Sequence, residues 1–495
     1  MLRETYEQIK DGVDVRKNLI ELKKALKQDS NKMALSYYLA GEYDIFYKLL
    51  EHEDAKVRKN TALIMGELAV SEFLKPLFTA YQREDKLFVK ADYLVAIRHL
   101  DYRNILEELK ERLDFLVKET FEETSMKHIN EERKILTNMI LDIEGAKKHT
   151  FIGYNVLSDV ILLTNRDHKE ITLEQIKNGK AKTFNAGVVV CTRDLEEILG
   201  IRTYSEILFR LRDVLTVSCD PKQAAEKIWK GGLLDFLNMR HEEKAPYYFR
   251  LEVKSKMPLS EKSSFAKKLA TALEEVSNRQ VVNSTSNYEV ELRLIENKDG
   301  DFNVLIKLYT IPDQRFSYRK HAVAASIQPV QAALIAELAK PYLKEGAQVL
   351  DPFCGVGTML IERNKLVPAT PMYGIDSFGE AIDKAIENSR RDHTIINFIN
   401  RDFFDFKHQY LFDEIFTNMP TRGGRKTDAE MELLYSRFFK KALEILKDEA
   451  VMILYTRDRD LVLKGVTQSP LYHIEQNIAI SKKEDAYLFI IKVGK

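Results

Sequence analysis

The residues whose types and spacing could do chemistry lie in the stretch 348–365, QVLDPFCGVGTMLIERNK. A short apolar run predicts a strand, the residues from Asp351 to Thr358 predict a turn, and the residues after them predict a helix. Open α/β sheets bind ligands at such turns, where a strand ends. Gly355 and Gly357 would let the backbone approach a ligand without a Cβ in the way.

The turn does not match the common phosphate-binding patterns. The third glycine position of G-x-G-x-x-G falls on Leu360, and no Gly-Lys-Ser/Thr follows. An acidic residue just before a G-x-G pair suits a cofactor that has no phosphate to bind, and S-adenosylmethionine fits this description. Asp351 could orient the turn or meet the cationic amino acid group, while Gly355 and Gly357 could lie against the flat nucleoside.

Two further carboxylates follow the next predicted strands. Asp376 lies 19 residues after Gly357, where a carboxylate can bind both ribose hydroxyls. Asp402 ends a third apolar run and could accept a hydrogen bond from the adenine amino group. Hydrogen bonds to charged groups contribute about 1.5–3 kcal/mol each. After a fourth strand comes the tetrad Asn418-Met419-Pro420-Thr421.

With these residues the chain resembles the S-adenosylmethionine-dependent methyltransferases that modify exocyclic amines of nucleobases. That branch carries a D-P-F-C-G-x-G-T turn and an (Asp/Asn)-x-Pro-(Tyr/Phe) tetrad. The resemblance implies that the Asn418 side-chain oxygen and a neighbouring backbone carbonyl accept both protons of the target amine. It implies catalytic residues Asn418, Met419, Pro420 and Thr421, and cofactor-binding residues Asp351, Pro352, Phe353, Gly355, Gly357, Thr358, Asp376, Asp402, Gln328 and Pro329.

The tetrad departs from the family pattern at its last position, because Thr421 stands where an aromatic is usual. Stacking of a base on an aromatic ring contributes about 1–3 kcal/mol. We therefore expect either that another ring takes this role, with Phe353, Phe403 and Tyr318 as candidates, or that the base binds weakly.

Composition limits the other possibilities. The chain has 495 residues, of which 45% are hydrophobic and 31% charged, which is enough for three or four domains. Its 76 basic and 76 acidic residues give no overall basic footprint for nucleic acid, so such a surface would be local. The three cysteines form no zinc pattern, the start is charged, and no apolar run approaches about 18 residues. We expect a cytoplasmic protein without a metal site.

Residues 1–148 show helical periodicity almost throughout. Two sets of residues repeat with an offset of 32 and the spacing of one buried helix face: Val57, Thr61, Ile64, Met65 and Leu68, and Val89, Tyr93, Ala96, Ile97 and Leu100. The pattern resembles a HEAT repeat, a family of helical scaffolds, and an irregular helical bundle is the alternative. Either structure would more readily dock a protein partner than catalyse a reaction.

Residues 149–315 predict a mixed α/β region. Residues 149–204 resemble a ferredoxin-like domain, and residues 205–315 resemble a THUMP domain, an RNA-binding module of tRNA-modifying enzymes. Helices are predicted near 205–214, 221–231 and 260–276, and strands at 248–253, 289–294 and 302–308. A generic α+β domain of unknown purpose is the alternative.

Residues 316–495 predict a Rossmann-like α/β methyltransferase domain that ends in an antiparallel hairpin, 474–480 with 487–493. The segment 315–321, at the start of this domain, alternates basic and aromatic residues, which could neutralise phosphates and stack on unpaired bases. A second basic stretch follows the tetrad and could hold the phosphate beside a flipped-out nucleotide. The RNA-binding candidates are Arg315, Tyr318, Arg319, Lys320, Arg422, Arg425 and Lys426.

Together these features predict transfer of a methyl group from S-adenosylmethionine to the N2 amine of a guanosine in RNA, with tRNA as the first candidate. Large-subunit ribosomal RNA is a close alternative, and DNA is not expected. Two alternatives belong to other functional classes. The chain could be an inactive RNA-binding scaffold that retains the methyltransferase fold, or the helical repeats could recruit a protein substrate for methylation.

Overall fold

The computed structural model describes residues 2–119, 121–122, 124–145, 148–422 and 427–494. It divides into two compact units, Met1–Lys148 and His149–Lys495. No helix in the described ranges combines the length and the apolar character that a membrane span needs.

The first unit is helical. Its α-helices are α1 (Leu2–Lys10), α2 (Val15–Ala25), α3 (Asp29–Leu39), α4 (Asp44–Leu50), α5 (Ala55–Leu68), α6 (Leu74–Arg83), α7 (Leu87–Ile97), α8 (Leu106–Lys118) and α9 (Met126–Glu144). All ten residues of the two predicted repeating faces, most of them on α5 and α7, are buried, so the predicted core faces are confirmed. The two helices approach closely, because a Cβ added to Gly66 would lie 2.6 Å from the Ala96 Cα. The HEAT-like assignment stays a prediction.

The second unit begins with a mixed nine-stranded sheet. Its elements are β1 (Ser158–Thr164), α10 (Lys169–Glu174), β2 (Lys180–Phe184), β3 (Gly187–Thr192), α11 (Leu195–Gly200), β4 (Tyr204–Arg210), β5 (Thr216–Val217), α12 (Pro221–Lys230), α13 (Leu233–Asn238), β6 (Tyr247–Lys254), α14 (Leu259–Val276), β7 (Val281–Asn283), β8 (Val290–Glu296) and β9 (Phe302–Leu308). The order is β2-β3-β1-β4-β9-β8-β6-β7, and β5 also pairs with β9.

Strand β4 corrects the sequence prediction of a helix near 205–214. It pairs antiparallel with β1 on one side and with β9 on the other, so the predicted ferredoxin-like and THUMP-like regions share one sheet. The predicted boundary after residue 204 falls at the first residue of this strand. Leu208 and Phe209 are both fully buried although they point to opposite faces of the sheet. A strand buried on both faces loses the polar alternation that distinguishes a strand from a helix in sequence.

The second sheet of this unit has seven strands. Its elements are α15 (Pro329–Ala339), β10 (Val349–Asp351), α16 (Thr358–Leu366), β11 (Met372–Asp376), α17 (Gly379–Asp392), β12 (Asn397–Asn400), β13 (Phe412–Asn418), α18 (Asp428–Ile445), β14 (Leu446–Thr456), α19 (Arg459–Val466), β15 (Tyr472–Ser481) and β16 (Ala486–Val493). The order is β12-β11-β10-β13-β14-β16-β15. The first five strands are parallel, and β16 is antiparallel to β14 and β15, which confirms the predicted terminal hairpin.

An ion pair between the half-buried Arg202, just before β4, and the buried Glu362 on α16 links the two sheet regions of the second unit. The Arg202 guanidinium donates two hydrogen bonds to the Glu362 carboxylate on α16, at 2.6 and 2.8 Å. The Tyr318 hydroxyl donates to the same carboxylate at 2.6 Å, and only 1% of the Glu362 side chain is exposed. Since α16 follows the predicted cofactor turn directly, the first sheet is tied to the helix that supports this turn.

Candidate active site

The predicted cofactor turn connects β10 to α16. Gly355 and Gly357 have φ angles of +51° and +81°, which L side chains rarely adopt, so both positions favour glycine. A Cβ added to Gly355 would meet no atom within 4 Å, whereas one added to Gly357 would lie 3.0 Å from the Phe398 ring. The turn therefore has open space on one side and the β12 strand on the other.

Asp376 fixes the turn from the neighbouring strand. One of its carboxylate oxygens accepts a hydrogen bond from the Gly355 N–H at 2.9 Å, and the other accepts from the Phe378 N–H at 2.8 Å. The β10 and β11 strands are parallel, so both of their carboxyl ends open onto the same edge of the sheet. This arrangement brings the turn and the predicted ribose-binding carboxylate together.

Asp351 lies behind the turn and is fully buried. Its Oδ1 accepts hydrogen bonds from the Thr417 hydroxyl at 2.6 Å and the Phe353 N–H at 3.1 Å, and its Oδ2 has no hydrogen-bond partner in the described part of the chain. Burial raises the pKa of this carboxyl to about 7, with a smaller contribution from the charge of Asp376. Of the two roles predicted for Asp351, this placement favours orienting the turn.

The tetrad begins at the last residue of β13. The Met419 N–H donates to the Tyr455 carbonyl at 2.9 Å, and the Met419 side chain is buried, which leaves only its backbone for a substrate. The Tyr435 hydroxyl on α18 donates to the Pro420 carbonyl at 2.9 Å. These contacts hold the tetrad against β14 and α18.

The cofactor turn and the tetrad open into one cavity of about 380 Å³. Of the predicted cofactor residues, the wall includes Pro352, Phe353, Gly355, Thr358, Asp376 and Asp402, and it includes all four residues of the tetrad. The predicted residues Asp351, Gly357, Gln328 and Pro329 do not line it. The wall also includes Cys354 and Val356 of the predicted turn, and Ser326 and Ile327 of the segment predicted to lie beside the pocket. Wall residues that sequence reasoning missed are Val323, Ala325, Met359, Ser377, Phe378, Ala381, Phe404 and Leu434.

Asn388 on α17 holds two parts of this wall and was also missed. Its Nδ2 donates to the His321 carbonyl at 3.0 Å and to the Val356 carbonyl at 3.2 Å, and its Oδ1 accepts from the His321 N–H at 3.1 Å. Val356 belongs to the cofactor turn, and His321 precedes the wall segment 323–327. No local motif marks such a residue, since a buried asparagine in a helix has no distinctive spacing.

Two of the predicted RNA contacts are corrected by burial. The Arg315 side chain donates to the carbonyls of Ile201 and Tyr204, pairs with Asp313, and lies over the Tyr204 ring. Tyr318 is 3% exposed and bonded to Glu362. Neither side chain offers a surface to RNA, because Arg315 is bonded to Ile201, Tyr204 and Asp313 and Tyr318 is bonded to Glu362 on α16.

The remaining basic candidates differ in their exposure. Burial lowers the pKa of Arg319, and its Nε has no hydrogen-bond partner among the described residues. Lys320 is exposed, with its Nζ 3.3 Å from the Glu387 carboxylate. Arg422 is paired with Asp460 at 2.9 Å and with Asp458 at 3.3 Å. Arg425 and Lys426 lie outside the described residues.

The cavity fits a nucleoside sulfonium cofactor. The Asp376 and Asp402 carboxylates face it from the ends of adjacent strands, and the buried Thr358 hydroxyl in its wall has no described hydrogen-bond partner. The open side of Gly355 leaves room for a ligand against the backbone. Within the described ranges, no group of three His, Cys, Asp or Glu side chains could hold a metal ion.

Comparisons with known proteins agree with this chemistry. Residues 317–480 match the UPF0020 family, described as an RMKL-like methyltransferase domain. No curated protein matches the sequence significantly.

Two solved structures have a similar fold over about two thirds of this chain. The crystal structure of TrmN from Thermus thermophilus is 20% identical, with a TM-score of 0.53 over 68% of this chain and 99% of that one. A predicted N6-adenine-specific DNA methylase from Listeria monocytogenes is 15% identical, with a TM-score of 0.50 over 67% of this chain and 95% of that one. The protein is an S-adenosylmethionine-dependent methyltransferase, and S-adenosylmethionine is its cofactor.

Proposed function

We propose that this methyltransferase modifies the exocyclic N2 amine of a guanosine in structured RNA, with tRNA as the first candidate. The observation that carries the proposal is the single cavity shared by the cofactor turn and the tetrad Asn418–Thr421. An acceptor amide and the methyl donor must lie within one cavity for direct transfer to an amine.

The tetrad would act by positioning the amine. The Asn418 side-chain oxygen and the Met419 carbonyl would accept the two N–H groups of the amine and localise its lone pair on nitrogen. When bound, the cofactor supplies a methyl group on a sulfonium, so the new N–C bond forms as the C–S bond breaks, and the amine releases one proton to water. Positioning of this kind can lower a barrier by up to about 7–11 kcal/mol.

Local charge supports RNA as the substrate class. Lys254, Lys256, Lys262, Lys267 and Lys268 lie at the end of β6 and on α14, and no ion pair links any of them to a described residue. Free lysines can neutralise phosphates, which supplies most of the sequence-independent affinity for nucleic acid. The resemblance of 205–315 to a THUMP domain points to the same class, and Lys320, Arg422, Arg425 and Lys426 remain proposed contacts nearer the cavity.

Nucleoside mass spectrometry tests the proposal. RNA and, in a separate reaction, DNA from cells that lack the gene are incubated with labelled cofactor and the purified protein, and methylated nucleosides in tRNA, ribosomal RNA and DNA are compared. We expect N2-methylguanosine in tRNA. Label in ribosomal RNA alone would show that ribosomal RNA, and not tRNA, is the substrate. Label in DNA alone, or N6-methyladenosine in place of N2-methylguanosine, would refute the proposal.

Asn418→Ala provides the test of the site itself. Loss of one preorganised hydrogen-bonding group should lower kcat roughly 10²- to 10³-fold while the cofactor Kd stays within about twofold. Asn477→Ala is the matched control, because Asn477 is an exposed asparagine on β15 away from the cavity. Unchanged turnover by Asn418→Ala would contradict the role assigned to the tetrad.

A further inference from the structure

We propose that Phe404 and Arg437 form the platform on which the target base of the substrate stacks, in the role that the missing tetrad aromatic would otherwise have. This inference rests on the proposed function, because it needs a nucleobase at the acceptor side of the cavity. Thr421 lines the cavity but has no ring to offer.

A hydrogen bond to the backbone of Phe404 holds this residue at the cavity. The Asp402 side chain accepts a hydrogen bond from the Phe404 N–H at 2.9 Å, which fixes the short turn after β12. The Phe404 side chain is half-buried and forms part of the cavity wall. The ring is therefore fixed at its base and accessible from the cavity.

Arg437 lies over this ring. Its guanidinium carbon is 3.9 Å from the Phe404 ring centroid, a distance at which a cation is attracted to an aromatic face. Arg437 is exposed on α18 and makes no ion pair with any described residue. A planar cation without a carboxylate partner, stacked on a ring at a cavity, matches what proteins use to bind unpaired bases and the adjacent phosphate.

Helix α18 places this pair on the acceptor side of the cavity. One turn before Arg437, Leu434 lines the cavity, and the Tyr435 hydroxyl donates to the Pro420 carbonyl. The helix that presents Arg437 thus also fixes the tetrad. A base whose amine meets Asn418 would have its flat face near this helix.

The other rings are less suited to the role. Phe403 is 2% exposed, and Phe353 packs against it with a centroid distance of 5.9 Å. Tyr318 is bonded to Glu362. Phe378 is 51% exposed and follows the predicted ribose-binding residue Asp376. Phe404 likewise follows Asp402, but Arg437 of α18 lies over its ring, whereas no cation among the described residues lies over the Phe378 ring.

The platform can be tested by fluorescence without turnover. The probe is a single-stranded RNA that contains one 2-aminopurine, which carries an amine at the position that guanine does and loses fluorescence when it stacks. With S-adenosylhomocysteine saturating, the wild-type protein should quench the probe. Phe404→Ala should abolish the quenching, and Phe404→Tyr should restore it.

A turnover measurement and three further variants complete the test. Phe404→Ala should lower kcat/KM for RNA roughly 5- to 150-fold, the equivalent of one base–aromatic stack, with the cofactor Kd within about twofold. Arg437→Gln should weaken quenching, whereas Lys440→Gln, which removes a charge from the same helix, should not. Phe378→Ala should weaken cofactor binding and leave the quenching in place.

Two results would overturn the platform. Quenching that survives Phe404→Ala would show that the base stacks elsewhere, and a cofactor Kd that rises in parallel would show that the ring holds the adenine of the cofactor. The proposed function fails separately, if the wild-type protein transfers no methyl group to RNA. The quenching measurement still decides the platform in that case, because it needs no transfer.

Discussion

Replacement of Asn388 by alanine is expected to weaken cofactor binding, although this side chain does not line the cavity. Asn388 is 0% exposed and makes three hydrogen bonds of 3.0–3.2 Å to the backbone of His321 and Val356. These bonds connect the cofactor turn to the segment that enters the wall at 323–327. Without them, the two segments would have to be ordered by the cofactor itself.

The magnitude follows from the three bonds. A neutral hydrogen bond contributes a net of about 0.5–1.5 kcal/mol, so the three together amount to about 1.5–4.5 kcal/mol. Part of this free energy is lost from the folding stability of the free protein. The rest is lost from cofactor binding, because the cavity wall must then be ordered on binding. We expect the S-adenosylhomocysteine Kd to rise at least about tenfold, which corresponds to about 1.4 kcal/mol, together with a lower Tm.

Isothermal titration calorimetry with S-adenosylhomocysteine and thermal unfolding measure the two parts. Asn364→Ala is the control, because the Asn364 side chain accepts a single hydrogen bond, from the Ala369 N–H, at the far end of α16. The control should lose stability without a change in Kd. If Asn388→Ala also lowers Tm and leaves Kd within about twofold, Asn388 supports only the fold and the reasoning is refuted.

Two further predictions concern buried charges in the second unit. Because burial raises the pKa of Asp351 to about 7 in the folded protein, its stabilising contribution is complete below the ordinary pKa of 3.8 and is lost as pH rises through about 7. Urea unfolding should show that the unfolding free energy of the wild type, relative to that of Asp351→Asn, is lower at about pH 8 than at about pH 5. The same difference between the two proteins at both pH values would contradict this assignment. Arg202→Met should cost about 3–5 kcal/mol of unfolding free energy, since it leaves the buried Glu362 carboxylate without its cation. Arg457→Gln, which breaks an exposed pair with Glu484, should cost less than about 1 kcal/mol in the same denaturation experiment, and equal losses would refute the distinction.

The parts of the fold that sequence predicted well are those with strong local periodicity. The helices α5 and α7 were recognisable because apolar residues recur at helical spacing along one face of each helix. In the structure, this face of each helix is buried. The terminal hairpin was recognisable because two β-rich runs flank a charged turn, and it closes the sheet as predicted. Strand β4 was missed because Leu208 and Phe209 are buried on opposite faces, and because its pairing partners β1 and β9 are distant in sequence.

The site shows the same division. The positions of the turn and the tetrad followed from short motifs, since glycine conformations and strand ends are local properties. The roles of Arg315 and Tyr318 were misjudged for a different reason. Basic and aromatic residues look alike in sequence whether they face solvent or a buried partner, and here their partners are Tyr204 and Glu362.

Sequence by itself predicted the chemistry proposed for this protein: a glycine turn for a sulfonium cofactor, two carboxylates that follow adjacent strands, and Asn418 as the proposed acceptor amide. Only the tertiary structure decided which residues surround them, including Asn388 behind the wall and Phe404 beneath Arg437. The physical reason is that motifs act through backbone geometry over a few residues, whereas packing depends on segments brought together from far apart in the chain.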